Sequence, residues 1–138
     1  VYTVLVEGDD PADPIADATR AILDGHIVLS REVAESGLFP AIDLEASVSR
    51  LMVSVADPAQ LARARGLREL YSTYRQNRDL VTIGAYEHGS DQRIDRAIAA
   101  YEPLRGYLRQ PREQRVSMAE SLASLETLAR LAQVEAPA

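Results

Sequence analysis

The sequence predicts an α/β unit followed by an all-α unit, and two patterns lead to this division. Up to about residue 54, short apolar runs rich in β-branched residues alternate with short helical patterns, as they do in α/β folds. From residue 55 onward, apolar residues recur at spacings of three and four, which is the period of an amphipathic helix. We therefore expect one unit over residues 1–54 and a helical unit over residues 55–138.

Three segments of the first unit are expected to be extended. Residues 1–6 and residues 26–29 consist mainly of β-branched residues and leucine, and this composition favours strands of a larger parallel sheet. Residues 39–42 contain a proline, which biases the residue before it away from the helical conformation.

Capping residues mark two helices in the first unit. Asp13 is followed by proline, which suits the first helical position, so a helix is expected over residues 14–23. Ser30 can cap a helix over residues 31–36, and Gly37 is a suitable residue to end it.

The second unit is expected to contain four helices. Asp57 is again followed by proline and opens the longest of them. Residues 91–101 and 103–109 are expected as two shorter helices. Ser117 and Glu120 have the spacing of a capping box and should begin the last helix.

The apolar positions of these helices predict their buried faces. On the long helix they are Leu61, Ala64, Leu67, Leu70, Tyr71 and Tyr74. On the last helix they are Leu122, Leu125, Leu128 and Leu131. The opposite face of the long helix carries Arg63, Arg65, Arg68, Arg75 and Arg78. An arginine face of this kind is most often solvated, and binding of a partner protein is the alternative.

Charge and composition exclude several classes of protein. Fifteen basic and 21 acidic residues give a net charge of −6, which disfavours a nucleic-acid-binding protein. No apolar run approaches the ~20 residues of a membrane-spanning helix. Cysteine is absent, so disulfides and thiolate chemistry are excluded, and a cytoplasmic location is expected.

The basic residues are all arginine, and the absence of lysine has a chemical consequence. A phosphate-binding loop of the form GxxxxGK[ST] needs a lysine for the phosphates, and a Schiff base needs one as well. The seven glycines form no cluster, and no serine lies in a GxSxG motif. This chain alone therefore supplies neither a P-loop nor a hydrolase triad.

Two sets of polar residues are candidates for a metal site. Clustered carboxylates suit magnesium or calcium, but prolines and a spacing unlike that of an EF-hand favour capping and turn roles here. Two histidines without a neighbouring ligand are too few for a typical zinc site. We predict no metal site among these residues, which are Glu7, Asp9, Asp10, Asp13 and Asp17 in the acidic segment, and His26 and His88.

A longer pattern indicates a family. Residues 7–50 contain DPIAD, LDGHIVLSR, GLFPAID and SVSR in this order, and the segment resembles the one that follows the Walker B strand in type III export ATPases, relatives of the rotary ATP synthase subunits. Downstream, LYSTYRQNRDLVTIGAYEHGSDQRIDRAI and YLRQ look most like the flagellar branch, with the injectisome branch as the near relative. The resemblance covers essentially the whole chain and implies that residues 1–54 are the C-terminal portion of a RecA-like nucleotide-binding core.

The resemblance implies roles for three residues. Phe39, in GLFPAID, matches the aromatic residue that stacks on the adenine of the subunit's own nucleotide, where the family more often has tyrosine. Tyr86, in GAYEHG, matches a second aromatic residue on the other side of the adenine, with packing at a helix end as the alternative. Arg50, in SVSR, matches the arginine finger that reaches the γ-phosphate bound to the neighbouring subunit, with a surface or salt-bridged arginine as the alternative.

The function implied by the resemblance is a segment of a homohexameric ATPase that uses ATP and Mg²⁺ to drive flagellar protein export. The barrel, the P-loop and the catalytic glutamate precede this segment in the family, so the segment alone is expected to be inactive and to hold no cofactor. The implied partners are neighbouring subunits, a central coiled-coil stalk, export chaperones and cargo, on the cytoplasmic side of the inner-membrane export gate. An injectisome ATPase segment and a non-catalytic helical adaptor are the alternatives.

Overall fold

The computed structural model describes residues 2–6 and 13–134 of the chain. Within these residues the protein is mostly helical, with one small sheet. The elements in chain order are α1 (Pro14–Ile22), β1 (Gly25–His26), α2 (Arg31–Glu35), β2 (Val48–Ser49), α3 (Met52–Val55), α4 (Pro58–Thr82), α5 (Gln92–Leu108) and α6 (Met118–Leu131).

The sheet of the first unit is antiparallel and contains β1 and β2. Gly25 pairs with Ser49, and His26 pairs with Val48. The described residues contain no parallel strand pair, so the expectation of a larger parallel sheet is not met by this chain alone. The local structure of the first unit is therefore dominated by helices and loops.

The three segments predicted to be extended are only partly so. Residues 2–6 form no strand, contrary to the prediction, and residue 1 lies outside the described residues. A strand needs a neighbour to pair its backbone groups, and residues 2–6 have none within the described chain. Residues 26–29 and 39–42 meet at one isolated bridge, between Leu29 and Ile42, and residues 39–40 form a bend where an extended segment was expected.

The predicted helix starts of the first unit are confirmed. The Asp13 carboxylate accepts hydrogen bonds from the backbone N–H groups of Ile15 (2.9 Å) and Ala16 (2.8 Å). The Ser30 hydroxyl oxygen accepts one from the Val33 N–H at 3.3 Å. Each cap satisfies backbone donors that have no partner inside the helix.

The helix starts of the second unit are confirmed as well. The Asp57 carboxylate caps α4, accepting hydrogen bonds from two backbone N–H groups in its first turn. At α6, the Glu120 N–H donates to the Ser117 hydroxyl at 3.2 Å, and the Ser117 N–H donates to the Glu120 carboxylate at 2.8 Å. The Ser117 hydroxyl also donates to that carboxylate, and these hydrogen bonds hold the pKa of Glu120 below its ordinary value.

The prediction of two helices over residues 91–101 and 103–109 is wrong, because α5 is continuous through Pro103. Proline inside a helix removes one hydrogen bond and costs ~3 kcal/mol or more. Buried side chains lie on both sides of it, with Ala97 and Ala100 before Pro103 and Leu104 after it. Packing of this face against α4 and α6 offsets the local cost.

The core of the second unit lies between α4, α5 and α6. On α4, Leu67, Leu70 and Tyr71 are buried, as predicted. The predicted face of α6 is only half right, because Leu128 is buried whereas Leu131 is 72% exposed. The buried cluster as a whole consists of Leu67, Leu70, Tyr71, Ala97, Ala100, Leu104, Leu128, Ala129 and Ala132.

Candidate functional site

Phe39 is an exposed aromatic ring on a fixed backbone. Phe39 is 57% exposed, although its neighbour Leu38 is buried. The Phe39 carbonyl oxygen accepts a hydrogen bond at 2.9 Å from the backbone N–H of Gln110, two residues beyond the end of α5. A large apolar ring held open to solvent in this way can stack on a planar ligand.

The loop that carries Phe39, residues 36–47 between α2 and β2, is also fastened to α4 and α5 by arginine side chains. We call it the Phe39 loop. Arg105 on α5 donates to the Ser36 carbonyl oxygen at 3.1 Å. Arg75 on α4 pairs with Glu32 at 2.9 Å and with Glu45 at 3.2 Å. Side chains from both α4 and α5 therefore hold the Phe39 loop and the helix before it.

Arg75 lies between two carboxylates and is partly buried. Burial alone would lower its pKa, but the charges of Glu32, Tyr71 and Glu45 outweigh that effect, so the pKa of Arg75 is raised above its ordinary value. The guanidinium therefore stays charged, and it links α4 to both ends of the segment that contains the Phe39 loop.

The predicted solvated arginine face of α4 is therefore largely engaged within the chain. Arg63 pairs with Glu126 of α6 at 3.4 Å, and Arg68 donates to the Glu45 carbonyl oxygen at 2.6 Å. Arg78 lies 3.9 Å from a carboxylate oxygen of α2. Of the five arginines, Arg65 is exposed with no hydrogen bond or ion pair to the described residues.

Arg50 follows β2 and is exposed. Its guanidinium donates to the carbonyl oxygens of Ala21 (3.3 Å) and Arg20 (3.4 Å), near the C-terminal end of α1. Its backbone N–H donates to the Asp24 carbonyl oxygen at 2.8 Å. The two side-chain hydrogen bonds are long and exposed, and hydrogen bonds of this length are weak. The backbone of Arg50 is therefore fixed, whereas its guanidinium can leave these acceptors at little cost.

Gly25 is what allows β2 to approach β1 so closely just before Arg50. A Cβ atom at this position would lie 2.7 Å from the Val48 carbonyl oxygen, which is a backbone atom that cannot move aside. Any other residue at position 25 would separate the two strands and displace Arg50. The close approach of the two strands therefore explains why the LDGHIVLSR motif has glycine at this position.

Tyr86 lies in the loop between α4 and α5, and its hydroxyl is engaged within that loop. The hydroxyl oxygen lies 2.9 Å from both the Asp91 carbonyl oxygen and a carboxylate oxygen of Asp95. The other oxygen of the Asp95 carboxylate accepts a hydrogen bond from the Gly89 N–H at 3.0 Å. Tyr86 therefore organises the turn that precedes α5.

Phe39 and Tyr86 lie near opposite ends of α5, which does not support the predicted adenine sandwich. Tyr86 contacts Asp91, the residue that caps the start of α5, whereas Phe39 contacts Gln110 just beyond its end. A helix of 17 residues is ~25 Å long, at a rise of ~1.5 Å per residue. Two rings on one adenine would have to be far closer, so the structural role at a helix end is the one the geometry favours for Tyr86.

Three of the candidate metal ligands, Asp13, His26 and His88, contact protein atoms instead. Asp13 caps α1, while Glu7, Asp9 and Asp10 lie outside the described residues. Nε2 of His26 lies 3.2 Å from the Ala46 carbonyl oxygen, and the largely exposed His88 lies 3.7 Å from Asp95. Over residues 2–6 and 13–134, no three His, Asp or Glu side chains are grouped so that they could hold a metal ion.

Two contacts of the Phe39 loop were not anticipated from sequence. Gln110 acts through its backbone N–H, which every residue but proline carries, so its identity gives no signal. Arg105 looks like an ordinary exposed arginine of an amphipathic helix. Only the fold brings both residues to the loop.

The comparisons with protein-family models divide the chain into two matched segments. Residues 56–127, slightly more than half of the chain, match the T3SS EscN ATPase C-terminal domain. Residues 1–49 match the nucleotide-binding domain of the ATP synthase alpha/beta family. None of the helices in the described residues is long and apolar enough to cross a bilayer.

Relatives and solved structures agree with these matches. The flagellum-specific ATP synthase of Pseudomonas aeruginosa is 52% identical over 92% of this chain, and the chain spans 28% of that protein. The assembled ATPase EscN of the enteropathogenic E. coli type III secretion system matches with a TM-score of 0.89 and 40% identity, over 93% of this chain and 31% of that one. EscN in complex with its central stalk EscO matches with a TM-score of 0.79 and 38% identity. This match covers 84% of this chain and 29% of that one.

Proposed function

The chain belongs to the family of the T3SS EscN ATPase C-terminal domain, and we propose that it is a segment of a larger ATPase that hydrolyses ATP to drive flagellar protein export. The observation that carries this proposal is its 52% identity, across 92% of its length, to a protein named flagellum-specific ATP synthase. Because the chain spans 28% of that relative, the activity belongs to the proposed parent protein and not to this segment alone.

Two residues of this chain would act on the nucleotides of the parent ring. ATP with Mg²⁺, held by a P-loop elsewhere in the parent, supplies the phosphoryl group and the metal charge that neutralises it. Phe39 would offer its exposed ring face to the adenine in its own subunit. Arg50 would leave the carbonyl oxygens of α1 and direct its planar guanidinium to the γ-phosphate in the neighbouring subunit. Tyr86 is not included in this site, because its loop lies at the other end of α5.

The proposed parent acts as a ring with several partners. A finger that serves a neighbour's site requires assembly, so we propose a homohexamer, in keeping with the likeness to the assembled ATPase EscN. The likeness to EscN bound to its central stalk supports a similar stalk contact for the helical unit. Export chaperones and cargo would meet the same unit, on the cytoplasmic side of the membrane at the export gate.

The flagellar branch is favoured over the injectisome branch by identity. The chain is 52% identical to the flagellum-specific relative and 40% identical to the assembled injectisome ATPase. Flagellar genes beside the parent reading frame would support the first branch, and secretion-effector genes would support the second. A GxxxxGK[ST] motif upstream in the same frame would exclude the helical adaptor.

The proposal is tested by replacing Arg50 in the full-length protein. Arg50→Ala should lower kcat by about 10³- to 10⁵-fold, the usual contribution of an arginine finger, while nucleotide affinity stays nearly intact. Arg50→Lys should recover little, because an ammonium group cannot reproduce the planar fork. Arg65→Ala, which removes an exposed arginine without a described partner, is the matched control. Unchanged turnover in Arg50→Ala would refute the finger role.

A further inference from the structure

We propose that Arg105 is a positioning residue that fixes the Phe39 loop against α5 and thereby orients the Phe39 ring. The inference rests on the adenine role proposed for Phe39 and extends it to a residue outside the matched motifs. It starts from the hydrogen bond that Arg105 donates to the Ser36 carbonyl oxygen at 3.1 Å, three residues before Phe39.

Arg105 is held in place by its own helix. Its guanidinium carbon lies 5.8 Å from the centroid of the Tyr101 ring, in the range of a cation–π contact. The other terminal nitrogen lies 3.3 Å from Glu102. The Arg105 side chain is only 22% exposed, so most of its surface is packed even though its partner Glu102 is open to solvent.

The ring beneath Arg105 is itself fixed by a second helix. Tyr101 stacks on Tyr74 of α4 with ring centroids 3.6 Å apart and an interplanar angle of 17°. Tyr74 and Tyr101 also pack against the buried cluster of the helical unit. A chain of contacts therefore runs from that core through two rings and one guanidinium to the backbone of the Phe39 loop.

The contact falls next to the glycine at which the chain turns away from α2. Gly37, which follows Ser36, has a φ of +74°, a conformation that glycine adopts without strain. The loop is tied again at Phe39 by the Gln110 N–H. The backbone N–H groups of residues 36–38 donate to carbonyl oxygens of α2, so the start of this segment keeps its local shape without Arg105. Arg105 and Gln110 join the segment to α5 and to the residues just beyond it. Without Arg105, the join at Ser36 is lost while the join at Phe39 remains. We expect loss of ring orientation and not loss of folding.

The kinetic test uses the full-length ATPase and separates adenine binding from phosphate binding. Arg105→Ala should raise KM for ATP about three- to tenfold, the range expected for one hydrogen bond with its ring contact, and leave kcat nearly unchanged. The Ki of inorganic tripolyphosphate should not change, because this inhibitor has no base to stack. Arg105→Lys should recover part of the affinity, since an ammonium group can still donate to Ser36. Arg65→Ala is the matched control.

A double variant tests whether Arg105 acts through Phe39. Arg105→Ala should add nothing to the KM of Phe39→Ala, because the ring it positions is gone. Multiplied losses, an unchanged KM in Arg105→Ala, or equal losses for ATP and tripolyphosphate would overturn the positioning role. An unchanged KM in Phe39→Ala would instead refute the adenine role on which the inference rests.

A fluorescence measurement tests the positioning role without nucleotide. The chain contains six tyrosines and no tryptophan. Phe39→Trp in the full-length protein, with any other tryptophan replaced, places a single tryptophan on the loop that can be excited where tyrosine hardly absorbs. Adding Arg105→Ala should increase the amplitude of fast local motion in the time-resolved anisotropy, whereas adding Arg65→Ala should not. Identical anisotropy decays with and without Arg105 would contradict the inference.

Discussion

The two units of this chain differ in how much of their own apolar surface they bury. The helical unit has nine buried residues in one cluster that joins α4, α5 and α6. Over the described residues up to 50, only Ala16, Val33 and Leu38 are buried. The large apolar side chains left exposed in that first region are Tyr2, Val4, Leu5, Ile15, Ile22, Leu23, Ile27, Leu29, Phe39 and Val48.

The difference indicates that the helical unit has a core of its own, whereas the first region does not. Ten large apolar side chains exposed beside only three buried residues indicate a region that needs contact with other protein to be covered. Residues 1–49 match a nucleotide-binding domain, whose remaining parts are expected to cover this face in the proposed parent. The proposed site residues Phe39 and Arg50 both belong to the first region. Phe39 is held partly from the helical unit, by the Gln110 N–H, whereas the contacts of Arg50 lie within residues 20–24.

The largest expected effect is a contrast in hydrogen exchange across the isolated chain. Amides of residues 58–76 and 118–132 should exchange slowly, because they open only when the three-helix core unfolds. Amides before residue 50 should exchange about as fast as local openings allow, since few apolar contacts oppose them. Exchange measured by mass spectrometry or NMR checks this contrast. Equal protection in both regions would show that the first region is stable by itself or through self-association.

Paired substitutions should reproduce the contrast in free energy of unfolding. Leu104→Ala removes a side chain that is 2% exposed and should cost about 2–5 kcal/mol in denaturant unfolding. Ile22→Ala removes one that is 82% exposed and should change stability by less than about 0.5 kcal/mol. In the full-length parent, Ile22→Ala should become costly if the missing core covers it. A large cost in the isolated chain would contradict the open first region.

A smaller effect is expected at alkaline pH from Tyr71. Burial raises the pKa of Tyr71 above its ordinary value of 10.0, and Arg75 only partly offsets this. The neutral phenol is thus favoured in the folded state, so its stabilisation is complete below pH ~10 and is lost as pH rises through the raised pKa. Tyr71→Phe should make unfolding free energy fall less steeply above pH ~10, while Tyr2→Phe, at an exposed ring, should not. Parallel pH profiles for all three proteins would contradict this account.

Local signals predicted the helices well and the sheet poorly, for physical reasons. The caps at Asp13, Ser30, Asp57 and Ser117 act through hydrogen bonds to residues two or three positions away. A short sequence pattern is therefore enough to predict where these helices begin. Residues 2–6 depend on strands that this chain does not supply, and their composition alone could not make them pair. Pro103 was misjudged because packing on both sides of it outweighs its local cost.

The sequence suggests site residues only where a short motif contains them, and their roles remain predictions. Phe39 and Arg50 stand in short motifs, and the structure leaves both side chains exposed, as their proposed roles require. Tyr86 had a looser match, and its position at the far end of α5 depends on helix length and packing. Arg105 and Gln110 reach the loop through contacts between the two units, which no local pattern encodes.

Mixed rings test most directly the central claim that Arg50 serves a neighbouring subunit. Rings of full-length Arg50→Ala subunits alone, and rings of subunits lacking the P-loop lysine alone, should both be inactive. Mixing the two should restore part of the ATPase activity, because some interfaces then pair an intact phosphate site with an intact arginine. If mixed rings assemble, as judged by native mass spectrometry, and remain inactive at every ratio, Arg50 does not act across the interface.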